Sequence, residues 1–473
     1  MEHNPTPMTF ADDTICAIST PPGVGGIAVI RISGSDAIKT ADRLWRGKQL
    51  AKAATHTCHL GDIADPANGQ QLDQAVATVF RAPKSFTGED VVEFSVHGSK
   101  WIQTELMRLL VDNGCRIARA GEFTRRAFAS GKLDLAEAEA VADVIAATSR
   151  SAHRLAASQM RGDFSRVLES LRNQLLELAS LLELELDFSE EEVEFASREK
   201  LLALACEIQT LVNRLAASFA TGQAIKDGIP VAIVGEPNAG KSTLLNHLLS
   251  DNRAIVSDIP GTTRDTIEDT IQLDGTTYRF IDTAGLRDNP ADEIEALGID
   301  RTISKIRNAR IVLWLIAPDT PDDTLLSLNR EITANTTPDA TVLIIINKID
   351  KTPVSDTDVN RILKLTGSDT EPLRISARTG EGIDRLTATI RENAGIESAG
   401  TTDVIVTNSR HYEALRAASE SISRVIAGLK TGLSGDFIAQ DLRETIHHLG
   451  TITGTITTPE ILQTIFSKFC IGK

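Results

Sequence analysis

The segment Val231-Ala-Ile-Val-Gly-Glu-Pro-Asn-Ala-Gly-Lys-Ser242 constrains this chain more than any other. It fits G-x-x-x-x-G-K-[ST], with an apolar strand-like run before the loop and a helical run from Thr243 after it. A strand feeding a glycine-rich turn and then a helix can do one thing well. It curls successive backbone N–H groups around phosphate oxygens at a helix N-terminus. Gly235 and Gly240 permit the curl. Lys241 is placed to reach β- and γ-phosphates, and the Ser242 hydroxyl to ligate Mg²⁺. The flanking residues Asn238, Ala239, Gly240 and Thr243 complete the cradle.

Four further motifs follow in the order that a guanine-nucleotide domain needs. Gly261-Thr262-Thr263-Arg264-Asp265 lies in a polar loop, where Thr263 is the preferred second hydroxyl for Mg²⁺. Asp282-Thr283-Ala284-Gly285 follows the strand-like Tyr278–Ile281. Asp282 would hold Mg²⁺ through water, and the Gly285 N–H would meet the γ-phosphate. Asn347-Lys348-Ile349-Asp350 follows Thr341–Ile346. A carboxylate at Asp350 accepts two hydrogen bonds from guanine N1–H and the 2-amino group, which adenine cannot offer. Ser376-Ala377-Arg378 follows another strand, with the Ala377 N–H directed to guanine O6. Five motifs in order, each at a strand end, predict a Ras-like α/β P-loop domain over residues 227–394 that binds GTP in preference to ATP. Many such domains place a water-orienting glutamine directly after D-x-x-G. Leu286 stands there and cannot orient water, so hydrolysis must use another residue. Glu295 is one carboxylate within reach, although on its own it reads rather as a helix-surface glutamate.

At 473 residues the chain exceeds one ordinary domain. Residues 1–125 carry short β-branched runs between turns, at Ile27–Ile32, Val76–Phe80 and Val91–Val96, which predict a small α/β or α+β domain. Residues 126–226 turn helical. Leu168, Leu171, Leu175, Leu178 and Leu182 recur at three and four, on one helix face, and Gly162-Asp163 is the expected break. The acidic run Ser189–Glu194 reads as a solvated turn. After the nucleotide domain the helical pattern returns from Ser409, so 395–473 reads as the second half of an interrupted all-α domain. The net charge of -16 argues against whole-surface attraction to a nucleic-acid backbone. Five scattered cysteines without a C-x-x-C pair predict neither disulfide framework nor zinc site. The first ten residues lack the basic start and apolar core of a signal peptide, and the longest apolar runs are strand-sized, so a cytoplasmic location is expected.

Several segments outside the nucleotide domain carry a resemblance. They are Ala28-Val-Ile-Arg-Ile-Ser-Gly34, Ser85-Phe-Thr-Gly-Glu-Asp90, Gly121-Glu-Phe-Thr-Arg-Arg-Ala-Phe128, Lys132-Leu-Asp-Leu-Ala-Glu-Ala-Glu139 and Phe469-Cys-Ile-Gly-Lys473. With the inserted G domain, they make the chain resemble the MnmE (TrmE) family of tRNA modification GTPases over essentially its whole length. The resemblance implies an N-terminal domain that binds a tetrahydrofolate derivative (5,10-methylene or 5-formyl) and forms a homodimer. It implies an FAD-dependent partner of the MnmG type, joined in a heterotetramer, and a tRNA substrate. Together the two proteins add an aminomethyl or carboxymethylaminomethyl group at C5 of the wobble uridine.

Carried over residue by residue, Asn238 matches the family's K⁺ ligand. The loop Ser257, Asp258, Ile259, Pro260, Gly261 and Thr262 borders the GTP, with Ser257, Ile259 and Thr262 adding oxygens to the K⁺. A cation there supplies positive charge where other GTPases use an arginine finger. Glu295 matches the glutamate that positions the attacking water. Arg31, Glu93, Lys132 and Lys473 match the folate-contacting positions, although Arg31 and Lys132 alone read as surface cations. Cys470 is a candidate catalytic thiol or, equally, a small residue anchoring its segment. The rival function is a regulatory or ribosome-assembly GTPase switch without modification chemistry, which has no need of a folate site.

Overall fold

The computed structural model describes residues 13–187, 198–252, 269–281, 306–394, 404–467 and 469–472. The first part is a mixed sheet with helices. Its strands are β1 (Thr14–Ile18), β2 (Gly25–Ser33), β3 (Trp45–Arg46), β4 (Thr57–Ala64), β5 (Gln71–Phe80), β6 (Val91–Gly98) and β7 (Cys115–Ile117). They lie in the order β3-β4-β5-β6-β2-β1-β7, antiparallel except where β7 runs parallel to β1. The helices are α1 (Ala37–Leu44), α2 (Lys100–Asp112) and α3 (Glu122–Ala129). Alternation along β2 decides the faces: Ala28, Ile30 and Ile32 are buried in the core with α1 and α2, so Val29 and Arg31 point to the opposite face. The three predicted strands are present and extend beyond their predicted ends.

A helical stretch follows: α4 (Leu135–Ala146), α5 (Arg150–Met160), α6 (Asp163–Asp187), α7 (Arg198–Ala217) and α8 (Phe219–Asp227). Gly162, in the left-handed region at φ 77°, separates α5 from α6. Leu168, Leu171, Leu175, Leu178 and Leu182 of α6 are all buried. The nucleotide domain comprises β8 (Ile229–Gly235), α9 (Lys241–Asn252), β9 (Asp269–Leu273), β10 (Thr276–Phe280), β11 (Ile311–Ile316), α10 (Asp322–Asn335), β12 (Thr341–Ile346), α11 (Asp356–Thr366), β13 (Leu373–Arg374) and α12 (Ile383–Glu392). Its sheet order is β13-β12-β11-β8-β10-β9. The sheet is parallel from β13 to β10. At the edge, β9 pairs antiparallel with β10 through the Asp274-Gly275 turn, because two residues allow a hairpin but no crossover. The chain closes through α13 (Ser409–Thr431), α14 (Gly435–Thr453), which packs along α6, and α15 (Pro459–Ser467).

Two compact units result. One comprises Met1–Ile145, Ala156–Val212 and Glu413–Lys473; the other comprises Ala146–Leu155 and Asn213–Tyr412. In the second, the hairpin turn is held from outside the sheet: Ser151 N–H donates to the Gly275 carbonyl at 3.0 Å, and Gln272 donates to the Thr148 carbonyl at 2.6 Å. Among the described residues, no helix is long and apolar enough to cross a membrane.

Candidate functional site

The phosphate loop hangs between β8, in the middle of its sheet, and the N-terminus of α9. Ile229, Val231, Ala232, Ile233 and Val234 are buried, so β8 is an anchored support for residues 235–240. Lys241 opens α9, and its Nζ donates back to the carbonyls of Gly235 at 2.8 Å and Glu236 at 2.7 Å. The ammonium therefore spans the loop it is expected to serve. Ser242 and Thr243 are exposed in the first turn of α9, where free N–H groups and the helix dipole favour anions. Asn238 is exposed and holds φ at 66°, a left-handed conformation that asparagine tolerates better than most side chains.

The two loops expected to recognise the base meet the loop expected to hold phosphate through one side chain. Asn347 is 2% exposed. Its Nδ2 donates to the Ala239 carbonyl at 2.8 Å, and its Oδ1 accepts from the Ala377 N–H at 3.0 Å. It ties together three segments distant in sequence. The Ala377 N–H expected at guanine O6 is thus engaged by Asn347 in this structure. Ser376, fully buried, donates from Oγ to Asp350 Oδ1 at 2.8 Å. That bond steers an otherwise exposed carboxylate and leaves Oδ2 for a base. Lys348, at φ 65°, is half-buried, and Arg378 is exposed. The expected positions Ser257, Asp258, Ile259, Pro260, Gly261, Thr262, Thr263, Asp282, Thr283, Ala284, Gly285, Leu286, Glu295 and Lys473 lie outside the described residues.

A second set of predicted residues gathers on the N-terminal sheet. Arg31 on β2 stands directly opposite Glu93 on β6, and the pair closes at 2.8 Å on the face opposite α1 and α2. The Arg31 guanidinium lies 5.6 Å from the Phe86 ring centre and 5.5 Å from that of Phe123, within cation–π range of both. Phe86 belongs to the loop Ser85–Asp90, which is pinned by Ser130 Oγ donating to the Thr87 carbonyl at 2.7 Å. Lys132, exposed, runs past Gly88 of the same loop. Arg31, Glu93 and Lys132 therefore border one loop.

Sequence reasoning missed what lies beneath that loop. Arg126, 3% exposed, donates to Asp13 Oδ1 at 2.7 Å, to Glu89 at 3.1 Å and to Glu122 at 3.3 Å. Arg116 adds bonds to Asp13 at 2.6 Å and Glu122 at 2.5 Å. Burial would raise the pKa of Asp13 and of Glu122. Hydrogen bonds from Arg116 and the charges of Arg116 and Arg126 outweigh it, and both carboxyls sit below their usual range. Glu89 continues the network to Ser33 Oγ at 2.7 Å, next to Arg31 and Ile32 on β2. The signal available was the i, i+4 spacing of Glu122 and Arg126 at the start of α3.

The segment 469–472 docks on the same domain. Ile471 bridges Ala120, the Cys470 carbonyl accepts from Gly121 N–H at 3.4 Å, and Ser19 Oγ donates to the Gly472 carbonyl at 3.2 Å. Gly472 sits at φ 97° with its missing Cβ position 2.3 Å from the Ile18 carbonyl oxygen, so no larger residue fits. Phe469 is buried and Cys470 exposed, which places the anchoring in Phe469 and Gly472 rather than in the thiol.

Comparison with known proteins identifies the family. Residues 14–132 match the profile of the GTP-binding protein TrmE N-terminus, and residues 135–470 match that of the MnmE helical domain. The tRNA modification GTPase MnmE of Parabacteroides distasonis is 51% identical over 467 residues, covering 97% of this chain and 100% of the relative. That of Christiangramia forsetii is 48% identical over 481 residues, covering 98% and 99%. That of Cytophaga hutchinsonii is 47% identical over 468 residues, covering 99% of each. Identity at this level along the full length of each chain places this protein in the MnmE (TrmE) family of tRNA modification GTPases.

Proposed function

We propose that this tRNA modification GTPase is activated by K⁺ and works as a homodimer with an FAD-dependent partner of the MnmG type, in the cytoplasm. The pair adds an aminomethyl or carboxymethylaminomethyl group at C5 of the wobble uridine of certain tRNAs, with methylenetetrahydrofolate as one-carbon donor. The observation that carries this reading is the Arg31–Glu93 pair with Lys132 at the edge of the Ser85–Asp90 loop, in a chain that also holds a GTP site. A nucleotide switch alone has no use for it.

The residues suit a folate. Glu93 spends Oε1 on Arg31, and its Oε2 makes no hydrogen bond among the described residues, so a carboxylate oxygen is on offer to a pterin amino group. Lys132 is exposed and Arg31 half-exposed, cations of the kind a glutamate tail requires. In the GTP site, Lys241 and the first turn of α9 hold the β- and γ-phosphates. Ser242, Thr263 and Asp282 would hold Mg²⁺, which when bound would neutralise charge on the phosphates. Asp350 selects guanine. Asn238 with Ser257, Ile259 and Thr262 would hold K⁺, which when bound adds positive charge at the phosphates. Glu295 orients the attacking water. Cys470 stands exposed within the docked segment as a candidate catalytic thiol.

Folate binding tests the reading. The purified chain is expected to bind 5-formyltetrahydrofolate in calorimetry, and Glu93→Gln to weaken it about ten-fold or more, the loss of one charge-assisted hydrogen bond. No binding by folded protein would move the assignment to the switch. The cation is tested separately. GTP turnover is expected to rise at least ten-fold in K⁺ over matched Na⁺, on the order of 1.4 kcal/mol of barrier. Asn238→Ala should level the two salts. Equal rates for the unaltered chain would remove K⁺ from the mechanism.

A further inference from the structure

We propose that Thr320 is a positioning residue for nucleotide binding, acting through the carboxylate of Glu236 in the phosphate loop. Glu236 follows β8 directly and is tied at both backbone and side chain, with Ala239 N–H donating to its carbonyl at 3.1 Å. Its backbone carbonyl accepts from Lys241 Nζ at 2.7 Å, and its Oε2 accepts from Thr320 Oγ1 at 3.0 Å. Thr320 lies in the turn after β11, 84 residues away, and is 3% exposed.

That turn is fixed independently of the nucleotide loop. Thr320 N–H donates to the Ala317 carbonyl at 3.0 Å, and Ala317 N–H donates back to Thr320 Oγ1 at 3.2 Å. Arg361 on α11 donates to the carbonyls of Thr320 at 3.2 Å and Pro318 at 3.3 Å, and pairs with Asp322 at 3.0 Å. The orientation of the hydroxyl follows. One of its lone pairs is taken by Ala317 N–H, so its proton is the group that meets the Glu236 carboxylate. A buried hydroxyl with a fixed rotor makes a directional anchor.

The anchor matters because of where the carboxylate sits. A negative charge in a loop built to cradle a triphosphate opposes its ligand at short range. Held to Thr320, the carboxylate is committed to the β11 turn and its charge is partly met by a donor. The same bond fixes the Glu236 peptide, whose carbonyl accepts from Lys241. Released, the carboxylate is free to swing toward the phosphates, and Lys241 loses a fixed reference.

The test is a double-mutant cycle read by a fluorescent GTP analogue, well below the melting temperature of every variant. Thr320→Val, near-equal in volume, is expected to raise Kd about ten-fold, equivalent to about 1.4 kcal/mol. Thr320→Ser keeps the hydroxyl and should bind within about two-fold of the unaltered chain. In a Glu236→Ala background, Thr320→Val should change Kd less than about two-fold, because the partner it acts through is gone. Turnover at saturating GTP should be the same in Thr320→Val and the unaltered chain, so the effect falls on KM. Unaltered Kd in Thr320→Val, equal loss in Thr320→Ser, or full additivity with Glu236→Ala would each overturn the proposal.

Discussion

Gly240→Ala is expected to abolish GTP binding while leaving the rest of the chain folded. Gly240 sits at φ 100°, where an L side chain is strained by roughly 1–3 kcal/mol. A Cβ built there would stand 2.2 Å from Asn347 Nδ2. Asn347 cannot step aside cheaply. It is buried, and its two hydrogen bonds, to the Ala239 carbonyl and from the Ala377 N–H, are what join the phosphate loop to the base loops. Displacing it leaves buried polar groups unpaired at about 1–3 kcal/mol each. Even the lower ends of these ranges sum to roughly 3 kcal/mol, more than a hundred-fold in affinity. A fluorescent GTP analogue should show Kd raised by that factor or more. Hydrogen exchange should place the loss of protection around the phosphate and base loops, with the N-terminal sheet unchanged. Affinity within about ten-fold of the unaltered chain would mean that Asn347 is not a fixed wall.

That interlock marks where sequence reading stops. The five nucleotide motifs were legible because each is a short word at a strand end, and strands such as Thr341–Ile346 announce themselves by apolar runs. The function of Asn347 was only half legible. The motif marks it as part of the base site, but its partners lie 108 and 30 residues away, and spacing carries no record of such contacts. The same holds for Glu236 and Thr320. The antiparallel edge at β9 follows from the two-residue Asp274-Gly275 turn, a local signal that the broader alternation of strands and helices does not carry. In the N-terminal domain the strands were legible from β-branched runs, and Arg31 facing Glu93 became visible only when register was known. Charged residues default to the surface in any sequence reading. Arg126, in a stretch quoted for its resemblance, defies that default at 3% exposure, and a sequence gives no warning of a buried charge whose partners come from three separate segments.

Arg126→Met is expected to cost the first compact unit about 3–5 kcal/mol, the penalty of breaking a buried ionic network by removing one side. Methionine fills much of the volume, so packing is a small part of the loss. What remains is a trio of carboxylates, Asp13, Glu89 and Glu122, with Arg116 touching Asp13 and Glu122 but not Glu89. Asp13 and Glu89 are each about one-third exposed, so solvent screens their share, and the buried Glu122 carries most of the effect. The pH dependence separates this cause from a packing defect. Asp13 and Glu122 have folded-state pKa values below their ordinary values, so at low pH the unfolded chain binds more protons than the folded one. Their stabilisation is complete at neutral pH and is lost as pH falls below the ordinary carboxylate range of about 4 and through the depressed folded values. Without Arg126 the depression shrinks, and less stability is left to lose. The gap between the two proteins should therefore be widest near neutral pH and narrow as the carboxylates protonate. Urea unfolding followed by hydrogen exchange in α3 and the Ser85–Asp90 loop, at neutral pH and at about pH 2, below the ordinary carboxylate range, reads it directly. A gap of the same size at both pH values would assign the loss to packing and remove the ionic network from the account of how this loop is held.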